Sequence, residues 1–445
     1  MAYLSLDIKG VTLFDKKTIR DIDLSGKRVL LRADYNVPVQ NGIISDDYRI
    51  KRSLQTLRYI LEQPGTSIVI ISHLGRPAGP QDMQFSLKPV AEHLSKLLGK
   101  KVDFASDCVG QETTQMANNL LPGGVLLCEN LRFHPEEEKN TPEFAKQIAE
   151  TSCAEVFVQD GFGVVHRAHA STDAITKFLP SVAGLLLAEE VETIAKVMDN
   201  PEHPLIAVIG GVKISDKIEV LDRLMDIADC VAVTGAMANN FLLAQGTKVG
   251  KSIVEIEAVG TAEEILHKAH EVEKRRPFSF LVPADVVVST KMDGTAGTRI
   301  VDLSSHSISD IESYPKLPRP TAYTVEPDEM ILDIGPLSAL HIAGVIKFCK
   351  TVIWNGPCGV TEVKGLAGAQ NPFAHGTQII ADAMIGQSTK DKNRPYSLVG
   401  GGDTAAYVES QGLIDDFNFV STGGGASLEL MSGHQLPGVE ALQDK

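Results

Sequence analysis

The sequence lacks any stretch close to the ~20 consecutive apolar residues that a membrane-spanning helix needs. Its first residues, MAYLSLDIKG, lack the charged start and apolar run of a signal peptide. Basic residues are in the minority, with 42 Lys and Arg against 57 Asp and Glu, and the net charge is −15. A general nucleic-acid binder needs a basic surface. We therefore expect a cytoplasmic protein with no membrane or nucleic-acid partner.

Paired cysteines are also lacking. The six cysteines form no C-x-x-C motif and have no histidine partners at zinc-finger spacing. Most are flanked by apolar residues, as in strands, so we expect buried, reduced thiols. The positions are Cys108, Cys128, Cys153, Cys230, Cys349 and Cys358.

Short apolar runs alternate with longer helical patterns along the whole chain. Continuous Val, Ile and Leu runs predict strands buried on both faces, and strand–helix–strand repetition predicts parallel sheets. A chain of 445 residues is too long for one compact core. The predicted fold is α/β, with two doubly wound parallel-sheet (Rossmann-like) domains joined by a hinge helix. The runs are 28–31, 68–71, 124–128, 155–158, 205–209, 230–234, 280–282, 352–354, 397–399 and 417–420.

The predicted hinge helix spans 185–199, where LLLAEEVETIAKVM has helical periodicity and is followed by the proline-rich NPEHP. This places a first domain at 1–184 and a second at 200–429.

Polar and basic residues follow several strands of the first domain, where an open parallel sheet binds its ligands. Guanidinium groups offer planar, bidentate donors to carboxylate or phosphate. Salt bridges to nearby acids explain any one of these cations but explain the set poorly. The pattern predicts a site for a small, multiply anionic molecule whose hydroxyls would contact Asp34 and Asn36. The cations of the set are Arg49, His73, Arg76, Arg132, Arg167 and His169.

Two glycine runs in the second half each follow a strand and precede a helix, at 400–402 and 423–425. Glycines let the backbone approach a phosphate, and the free N–H groups of a helix start supply donors. One such run is compatible with a tight turn, but two suggest a polyphosphate. Asp403, after the first run, is a candidate Mg²⁺ ligand.

Lys217 ends the segment GGVKISDK, which follows another strand. Ser215 or Asp216 is placed to cap the next helix, which puts Lys217 near its first turn, where a cation opposes the helix dipole. A bound anion explains this position, and a solvated surface lysine is the alternative.

Two other nucleotide-binding motifs are not present. The segment GTKVGKS lacks Walker A spacing, and the absence of G-x-G-x-x-G disfavours a nicotinamide dehydrogenase.

In chain order, the segments RADYNVP, SHLGRP, SLKPVAEHL, LRFHPEEEKN, HRAHAST, GGVKISDKI, WNGPCGV, GGGDTAA and STGGGASLE closely resemble phosphoglycerate kinases. The resemblance covers roughly residues 20–445. It implies a first domain that binds 3-phosphoglycerate or 1,3-bisphosphoglycerate and a second that binds ADP or ATP with Mg²⁺. Reversible phosphoryl transfer after hinge closure, in glycolysis and gluconeogenesis, would be the activity, and we expect a monomer.

Matched motif by motif, the resemblance also implies the site residues, with residues 430–445 packing back onto the first domain. Arg49 and Lys217 would be catalytic, and Asp403 would hold the metal. The implied substrate contacts are Asp34, Asn36, Arg49, His73, Arg76, Arg132, Arg167 and His169. The implied nucleotide contacts are Lys213, Lys217, Asn355, Glu362, Gly401, Gly402, Asp403 and Thr404.

The departures from the family pattern are local. EMILDIGP at 329–336 stands where the family usually has W-M-G-L-D-I-G-P, near the adenine pocket, so the preference for adenine over other bases stays open. Thr361 replaces a usual Phe, the loop 361–376 is long, and about ten extra residues begin the chain.

Two rival functions remain open. A kinase for another small carboxylate would keep the glycine runs but change the Arg and His set. A non-catalytic nucleotide-binding protein would be expected to lose Arg49, Lys217 or Asp403, and all three are present.

Overall fold

The computed structural model describes residues 4–6, 12–303, 324–363, 371–386 and 394–445. The chain divides into two compact units, Met1–Asn200 with Thr422–Lys445, and Pro201–Ser421. The sequence places the return to the first unit at 430, whereas the structure places it at Thr422. None of the described helices combines the length and apolarity needed to cross a membrane.

The elements are numbered in chain order. The strands are β1 (Leu4–Leu6), β2 (Thr12–Phe14), β3 (Arg28–Arg32), β4 (Val39–Gln40), β5 (Ile43–Ile44), β6 (Ser67–Ile71), β7 (Asp103–Ala105), β8 (Val125–Cys128), β9 (Val156–Gln159), β10 (Ser181–Ala183), β11 (Leu205–Ile209), β12 (Cys230–Val233), β13 (Ser279–Leu281), β14 (Asp285–Ser289), β15 (Thr298–Asp302), β16 (Met330–Ile334), β17 (Thr351–Asn355), β18 (Tyr396–Gly400) and β19 (Phe419–Val420). The helices are α1 (Tyr48–Leu61), α2 (Lys88–Leu98), α3 (Gln111–Asn118), α4 (Pro142–Ser152), α5 (Leu185–Asp199), α6 (Ile218–Ile227), α7 (Ala238–Ala244), α8 (Val259–Arg275), α9 (Pro336–Ile346), α10 (His375–Ile385), α11 (Gly402–Ser410), α12 (Gly424–Met431) and α13 (Pro437–Glu440).

The first unit is built on a parallel sheet with strand order β10-β9-β3-β6-β8-β7. Alternate residues of each strand enter different cores: Val29 and Leu31 pack in one, and Leu30 packs in the other. Ile68 and Ile70 of β6 join the first of these cores. The sheet is thus covered by side chains on both faces, which is why its strands read as unbroken apolar runs.

The second unit has a parallel sheet of order β13-β12-β11-β17-β18-β19. The one tryptophan of the sequence, Trp354, lies fully buried on β17, where its indole N–H donates to the carbonyl of Gly356 at 3.0 Å. An antiparallel sheet of order β15-β14-β16 adds a second layer of strands to this unit.

The returning segment Thr422–Lys445 is held in the first unit by specific contacts. The backbone N–H and hydroxyl of Thr422 donate to a carboxylate oxygen of Glu190, on α5, at 2.7 and 2.8 Å. Further along, the N–H of Gly438 donates to the carbonyl of Val165 at 2.9 Å. Helices α12 and α13 therefore belong to the first unit, although Pro201–Ser421, which precedes them in the chain, belongs to the second.

The predicted α/β class with parallel sheets is confirmed, and each predicted apolar run overlaps a strand. The antiparallel sheet was not predicted: β15 is mostly solvent-facing and lacks an apolar run, and the apolar runs of β14 and β16 were not recognised as strands. Strands β7 and β10 were also not predicted, since each has three residues. All six cysteines are free, and all but Cys153 are buried, as expected.

Candidate active site

The first unit has a crevice where its strand order reverses. From β3 the chain proceeds to β6 on one side and later returns to β9 on the other. Such a switch point opens a ligand crevice beyond the carboxyl ends of the two strands. A side chain on Gly161, after β9, would place its Cβ 3.3 Å from the backbone nitrogen of Asp34, after β3. A larger residue would require the backbone of Asp34 to shift by a few tenths of an ångström, so glycine favours the close approach of the two strand ends.

Asp34 organises the predicted polar residues at this crevice. Arg49, in the first turn of α1, donates to its carboxylate at 3.0 Å and to the carbonyl of Asn36 at 3.3 Å. The N–H of Asn36 donates to the other Asp34 oxygen at 3.1 Å, and Nδ1 of His73 lies 3.9 Å from that oxygen. The Asn36 side-chain oxygen accepts from the N–H of Gly75 at 2.8 Å. Four of the predicted residues thus form one connected cluster.

Arg32, which the sequence analysis did not select, lies at the centre of this region. Its side chain is 1% exposed. Its Nε donates to the hydroxyl of Ser171 at 2.8 Å, and its Nη2 lies 3.2 Å from Nδ1 of His73. Burial lowers the pKa of Arg32, while Glu137 and Asp34 oppose this. The available signal was an arginine closing an apolar run, RVLLR, on a strand buried on both faces.

Glu137 anchors the loop that carries His169. It is fully buried and accepts both the hydroxyl of Ser171, at 2.6 Å, and its backbone N–H, at 3.0 Å. Burial raises the pKa of Glu137, and the Arg32 guanidinium counteracts that rise. Nδ1 of His169 lies 3.9 Å from a Glu137 oxygen. This carboxylate was also missed, because EEE reads as a solvated run in the sequence.

Arg132 is oriented by a buried asparagine. The Asn130 side chain accepts from the N–H groups of Leu74, at 3.2 Å, and Arg132, at 3.0 Å. Its amide donates to the carbonyls of Leu74, at 2.7 Å, and Phe85, at 2.9 Å. Arg132 in turn donates to the carbonyl of Gly75 at 2.8 Å. Three loops are tied together around one side chain, and they hold the guanidinium of Arg132 in place.

Arg76 and Arg167 differ from the other predicted cations because both are exposed. The Nε of Arg167 donates to Nε2 of His166 at 3.1 Å. Arg76 follows Gly75 directly, and in the described part of the chain it makes no hydrogen bond or ion pair. Both guanidinium groups can therefore turn toward a ligand without breaking a buried contact.

The histidines of this site are held neutral. Burial lowers the pKa of His73 well below its usual value, and the positive charges of Arg32, Arg132 and Arg49 lower it further. The pKa of His169 is lowered to about 4, first by burial and then by Arg32, Arg132 and Arg167. Uncharged imidazoles among guanidinium groups form a preorganised, net positive surface that suits a multiply charged anion.

The second unit has its own switch point between β11 and β17. The N–H of Gly210, after β11, donates to the carbonyl of Asn355, at the end of β17, at 2.8 Å. A Cβ at Gly210 would lie 2.3 Å from the carbonyl of Pro357, so only glycine allows this approach. Because Gly210 has no side chain, only backbone faces the crevice at this point, which leaves room for a ligand.

Lys217 lies at this crevice and is 9% exposed. Its ammonium donates to the side-chain oxygen of Asn355 at 3.2 Å. Burial lowers the pKa of Lys217, and the charges of Asp216 and Asp403 oppose the shift. The predicted capping was wrong, because α6 has no side-chain cap and the hydroxyl of Ser215 instead donates to Glu255 at 2.7 Å. The surface-lysine alternative is excluded by the burial.

The first glycine run forms the start of α11. Gly401 has a φ of +91°, a conformation that favours glycine. Thr404 is fully buried and accepts the N–H of Gly356 at 2.7 Å. No described side chain caps α11, so the backbone N–H groups of Gly402 and Asp403 in its first turn donate no capping hydrogen bond.

The second glycine run, 423–425, begins α12 in the first unit. A Cβ at Gly423 would lie 2.4 Å from the ring of Phe162. The two predicted phosphate loops thus belong to different units, and close packing accounts for glycine at Gly423.

A cavity of about 300 Å³ lies beside Lys217's crevice and is walled by apolar side chains. Glu362 and Asp403 line it, and both are exposed. Asp333 also lines it; burial raises the pKa of this carboxyl to about 8, although backbone N–H groups, including that of Gly376 at 2.9 Å, bind it. The apolar lining is Val212, Ala236, Ala238, Leu242, Ile253, Pro283, Val286, Met292, Met330, Ile331, Leu332, Ile334, Pro357, Cys358 and Val360.

Lys213 does not line this cavity. Lys213 is exposed, and its charge acts on Glu255. Burial alone would raise the pKa of Glu255, but the hydrogen bonds from Ser215 lower it, and the positive charge of Lys213 lowers it further. The structure therefore joins Glu362 and Asp403 to the cavity and leaves Lys213 outside it.

Comparison with known proteins adds independent evidence. A family model described as phosphoglycerate kinase matches residues 19–434. The phosphoglycerate kinase of Dictyoglomus turgidum is 44% identical over 433 residues, covering 97% of this chain and 100% of that protein. The phosphoglycerate kinase of Pelotomaculum thermopropionicum is 43% identical over 430 residues, with coverage of 97% and 100%.

Solved structures agree with these relatives. The phosphoglycerate kinase of Coxiella burnetii matches with a TM-score of 0.73 at 36% identity, covering 96% of this chain and 98% of that one. That of Pyrococcus horikoshii matches with a TM-score of 0.78 at 28% identity and the same coverage.

Proposed function

This chain belongs to the phosphoglycerate kinase family, and from this we propose how its two units share one phosphoryl-transfer reaction. The protein is a phosphotransferase with a carboxyl group as acceptor. It transfers a phosphoryl group reversibly between 1,3-bisphosphoglycerate with ADP and 3-phosphoglycerate with ATP, a step of glycolysis.

We propose that the first unit binds the phosphoglycerate. The observation that carries this is the set of guanidinium groups around neutral His73 and His169 at the crevice beyond β3. Asp34 and Asn36 would bind the substrate hydroxyl, and the remaining contacts would be Arg49, Arg76, Arg132 and Arg167. Arg32 is buried among these groups and would contribute its charge from behind them.

The second unit is proposed to bind the nucleotide. The apolar cavity suits a flat base, and Glu362 at its lining would contact the ribose. Lys213, Lys217 and Asn355, with the loop Gly401–Thr404, would contact the phosphates. The base is proposed to be adenine, which follows from membership of the family, and the apolar wall that Met330 and Ile331 form suits a flat base.

The residues present fit a magnesium ion. Mg²⁺ prefers oxygen ligands and is commonly held by one or two carboxylates together with substrate phosphates. Asp403 offers an exposed carboxylate at the start of α11, in the lining of the nucleotide cavity. When bound, the ion supplies charge neutralisation for the nucleotide phosphates.

This reaction asks little of a general base, because the acceptor carboxylate, with a pKa of about 4, is ionised at neutral pH. The protein has to position two anions and screen their repulsion. We assign Arg49 and Lys217 to the transferring group. Each is held in advance, Arg49 by Asp34 and Lys217 by Asn355, so little reorganisation is needed during transfer.

Transfer also requires the two bound substrates to meet. We propose that the two units close about α5 before transfer, and that water is excluded by this closure. We further propose that the enzyme is a cytoplasmic monomer, which light scattering after size exclusion tests for the oligomeric state.

A coupled assay with 1,3-bisphosphoglycerate and ADP tests the proposal directly. Replacing Arg49 by alanine is expected to lower kcat by at least ~100-fold, whereas Arg58→Ala, an exposed arginine later on the same helix, keeps it near normal. Near-normal kcat in Arg49→Ala would remove that residue from catalysis. Parallel assays with GDP and IDP test the base preference, and equal kcat/KM for all three would contradict the adenine proposal.

A further inference from the structure

Asp107, Cys108 and His134 form a cluster of metal-ligand side chains that the phosphoryl-transfer reaction does not use. One ligand atom from each, a carboxylate oxygen, a sulfur and an imidazole nitrogen, lies within 4.8 Å of the others. Within the described residues this is the one such group of three or more. Cys108 and His134 are too far apart in the chain to show zinc-finger spacing.

The sheet brings these residues together. Strands β7 and β8 are parallel neighbours, with Ala105 opposite Cys128. The turn after β7 carries Asp107 and Cys108, and the turn after β8 carries His134. The carboxyl ends of adjacent parallel strands lie at the same edge of a sheet. The cluster is therefore fixed by the fold.

The three side chains are already oriented toward one another. Nε2 of His134 and a carboxylate oxygen of Asp107 are 2.7 Å apart. That oxygen also accepts the N–H of Cys108 at 2.6 Å, and the His134 ring packs on Phe144 with ring centres 5.0 Å apart. These contacts limit the freedom of the imidazole and the carboxylate before any ligand arrives.

Solvent can reach the cluster from one side. The side chains of Asp107 and His134 are 47% and 25% exposed, while Cys108 is 2% exposed. A metal ion can therefore enter past the carboxylate and the imidazole and meet the thiol at the base. A water molecule would complete four-coordination on the open side.

We propose that Asp107, Cys108 and His134 form a binding site for a zinc ion. Thiolate and imidazole favour zinc over magnesium or calcium, and one carboxylate completes a common set of zinc ligands. A thiolate and a carboxylate together balance the two positive charges of the ion. Tetrahedral zinc has ligand–ligand separations of roughly 3.5 Å. Binding would therefore bring the more distant ligand atoms, which lie within 4.8 Å of one another, closer together, and it would separate Nε2 of His134 from the Asp107 oxygen that it contacts at 2.7 Å.

The chemistry of binding is an exchange of protons for a metal. The S–H bond of Cys108 breaks, its proton passes to the buffer, and a sulfur–metal bond forms. In the free protein Nε2 of His134 donates its proton to the Asp107 carboxylate at 2.7 Å, so this proton also has to leave before Nε2 can coordinate. It passes to solvent, the neutral ring keeps one proton on Nδ1, and no electrons are transferred.

Cobalt, which occupies zinc sites and gives a thiolate-to-metal charge-transfer band in the near ultraviolet, is the probe. Chelator-treated full-length protein is titrated with Co²⁺, and the band is expected to saturate at one equivalent per chain and to vanish on addition of Zn²⁺. The proposed Mg²⁺ ligand Asp403 is an oxygen donor and does not give this band; Cys358 also lines that cavity, and the Cys108 variants distinguish the two thiols. Absence of the band at stoichiometric cobalt would overturn the proposal.

Matched variants locate the site. Cys108→Ser is expected to abolish the band, and His134→Gln to weaken Co²⁺ binding at least ~10-fold, as loss of even a supporting metal-site group does. Cys153→Ser, at a partly exposed thiol outside the cluster, keeps the band. An unchanged band in Cys108→Ser would overturn the assignment. Cys108→Ala gives a second test if the serine variant folds poorly by circular dichroism.

A thermal measurement gives a second readout. Because zinc would bind the folded protein in preference to the unfolded chain, it raises the Tm of the wild-type protein and of Cys153→Ser. The Tm of Cys108→Ser is expected to be insensitive to zinc. Equal zinc-induced shifts in Cys108→Ser and Cys153→Ser would contradict the site.

Discussion

The ammonium of Lys217 donates to the side-chain oxygen of Asn355 at 3.2 Å, and the amide nitrogen of Asn355 is left buried without a hydrogen-bond partner among the described residues. An unpaired buried donor costs about 1–3 kcal/mol. An anion that accepts from both side chains would remove this cost and neutralise the buried cation. The pair is therefore arranged for a ligand that brings negative charge with it.

Lys217→Met keeps the length of the side chain and removes the charge that this arrangement supplies. We expect kcat to fall at least ~100-fold, with a smaller change in the KM for nucleotide, because the charge is needed most as the phosphoryl group moves. Steady-state kinetics at saturating phosphoglycerate measure this. Lys347→Met, at an exposed lysine after α9, is the control. A rise in KM alone would reassign Lys217 to ground-state binding.

Asn130→Ala removes the side chain that ties three loops together and supports Arg132. It makes four hydrogen bonds with backbone groups, two of them buried and two partly buried, so the free energy of unfolding is expected to fall by about 1–3 kcal/mol. The KM for phosphoglycerate is expected to rise, because Arg132 loses its orientation.

Urea titration and steady-state kinetics measure the two effects of Asn130→Ala, with Asn119→Ala, at an exposed position of the same unit, as the control. A stability loss with unchanged KM would show that Asn130 does not position Arg132.

Binding of phosphoglycerate is expected to raise the pKa of His169. Its pKa of about 4 in the free protein results from burial and then from the charges of Arg32, Arg132 and Arg167. A bound anion opposes these guanidinium charges, so protonation becomes easier and the pKa moves toward its usual value. NMR titration of the imidazole with and without 3-phosphoglycerate measures the shift. The exposed His270, outside the cluster, is the internal reference, and an unmoved His169 would place the anion elsewhere.

Asp160 is expected to make stability depend on pH. It lies after β9, and one carboxylate oxygen accepts the N–H groups of Leu186 and Leu187 in the first turn of α5, at 3.0 and 3.3 Å. Burial raises its pKa to about 7. Between about pH 4 and 7 the folded protein retains a proton that the unfolded chain has released. The contribution to stability is thus present at low pH and is lost as pH rises through 7, by up to about 1.4 kcal/mol per pH unit.

Asp160→Asn keeps an oxygen acceptor for the α5 amides and removes the titration. From pH 5 to pH 8 the wild type is expected to lose stability relative to the variant. Urea titration at each pH measures the free energy of unfolding of both proteins. Titration of Asp333, also buried, affects both proteins equally and cancels in the comparison. Parallel pH profiles would contradict the role given to Asp160.

Features that depend on neighbouring residues were predictable from the sequence, whereas features that depend on contacts between distant residues were not. Buried parallel strands and the glycine run 400–402 leave local patterns, and the α/β class, the family and the activity are confirmed. Arg32 and Glu137 were missed because their partners are distant in sequence, and a buried charge cannot be told from an exposed one by its neighbours alone. The capping prediction for Ser215 was wrong for the same reason, since Glu255 lies 40 residues away in the chain.

The returning segment has a consequence for synthesis on the ribosome. The first unit begins the chain and is completed by Thr422–Lys445, whose Asp444 pairs with Lys16. At about 5–20 residues per second, the roughly 220 residues of the second unit occupy the ribosome for roughly 10–40 s. During that time the first unit has no α12 or α13 and keeps part of its core open. The unit that is translated first is thus completed only after the whole of the second unit has been synthesised, because α12 and α13 follow the second unit in the chain.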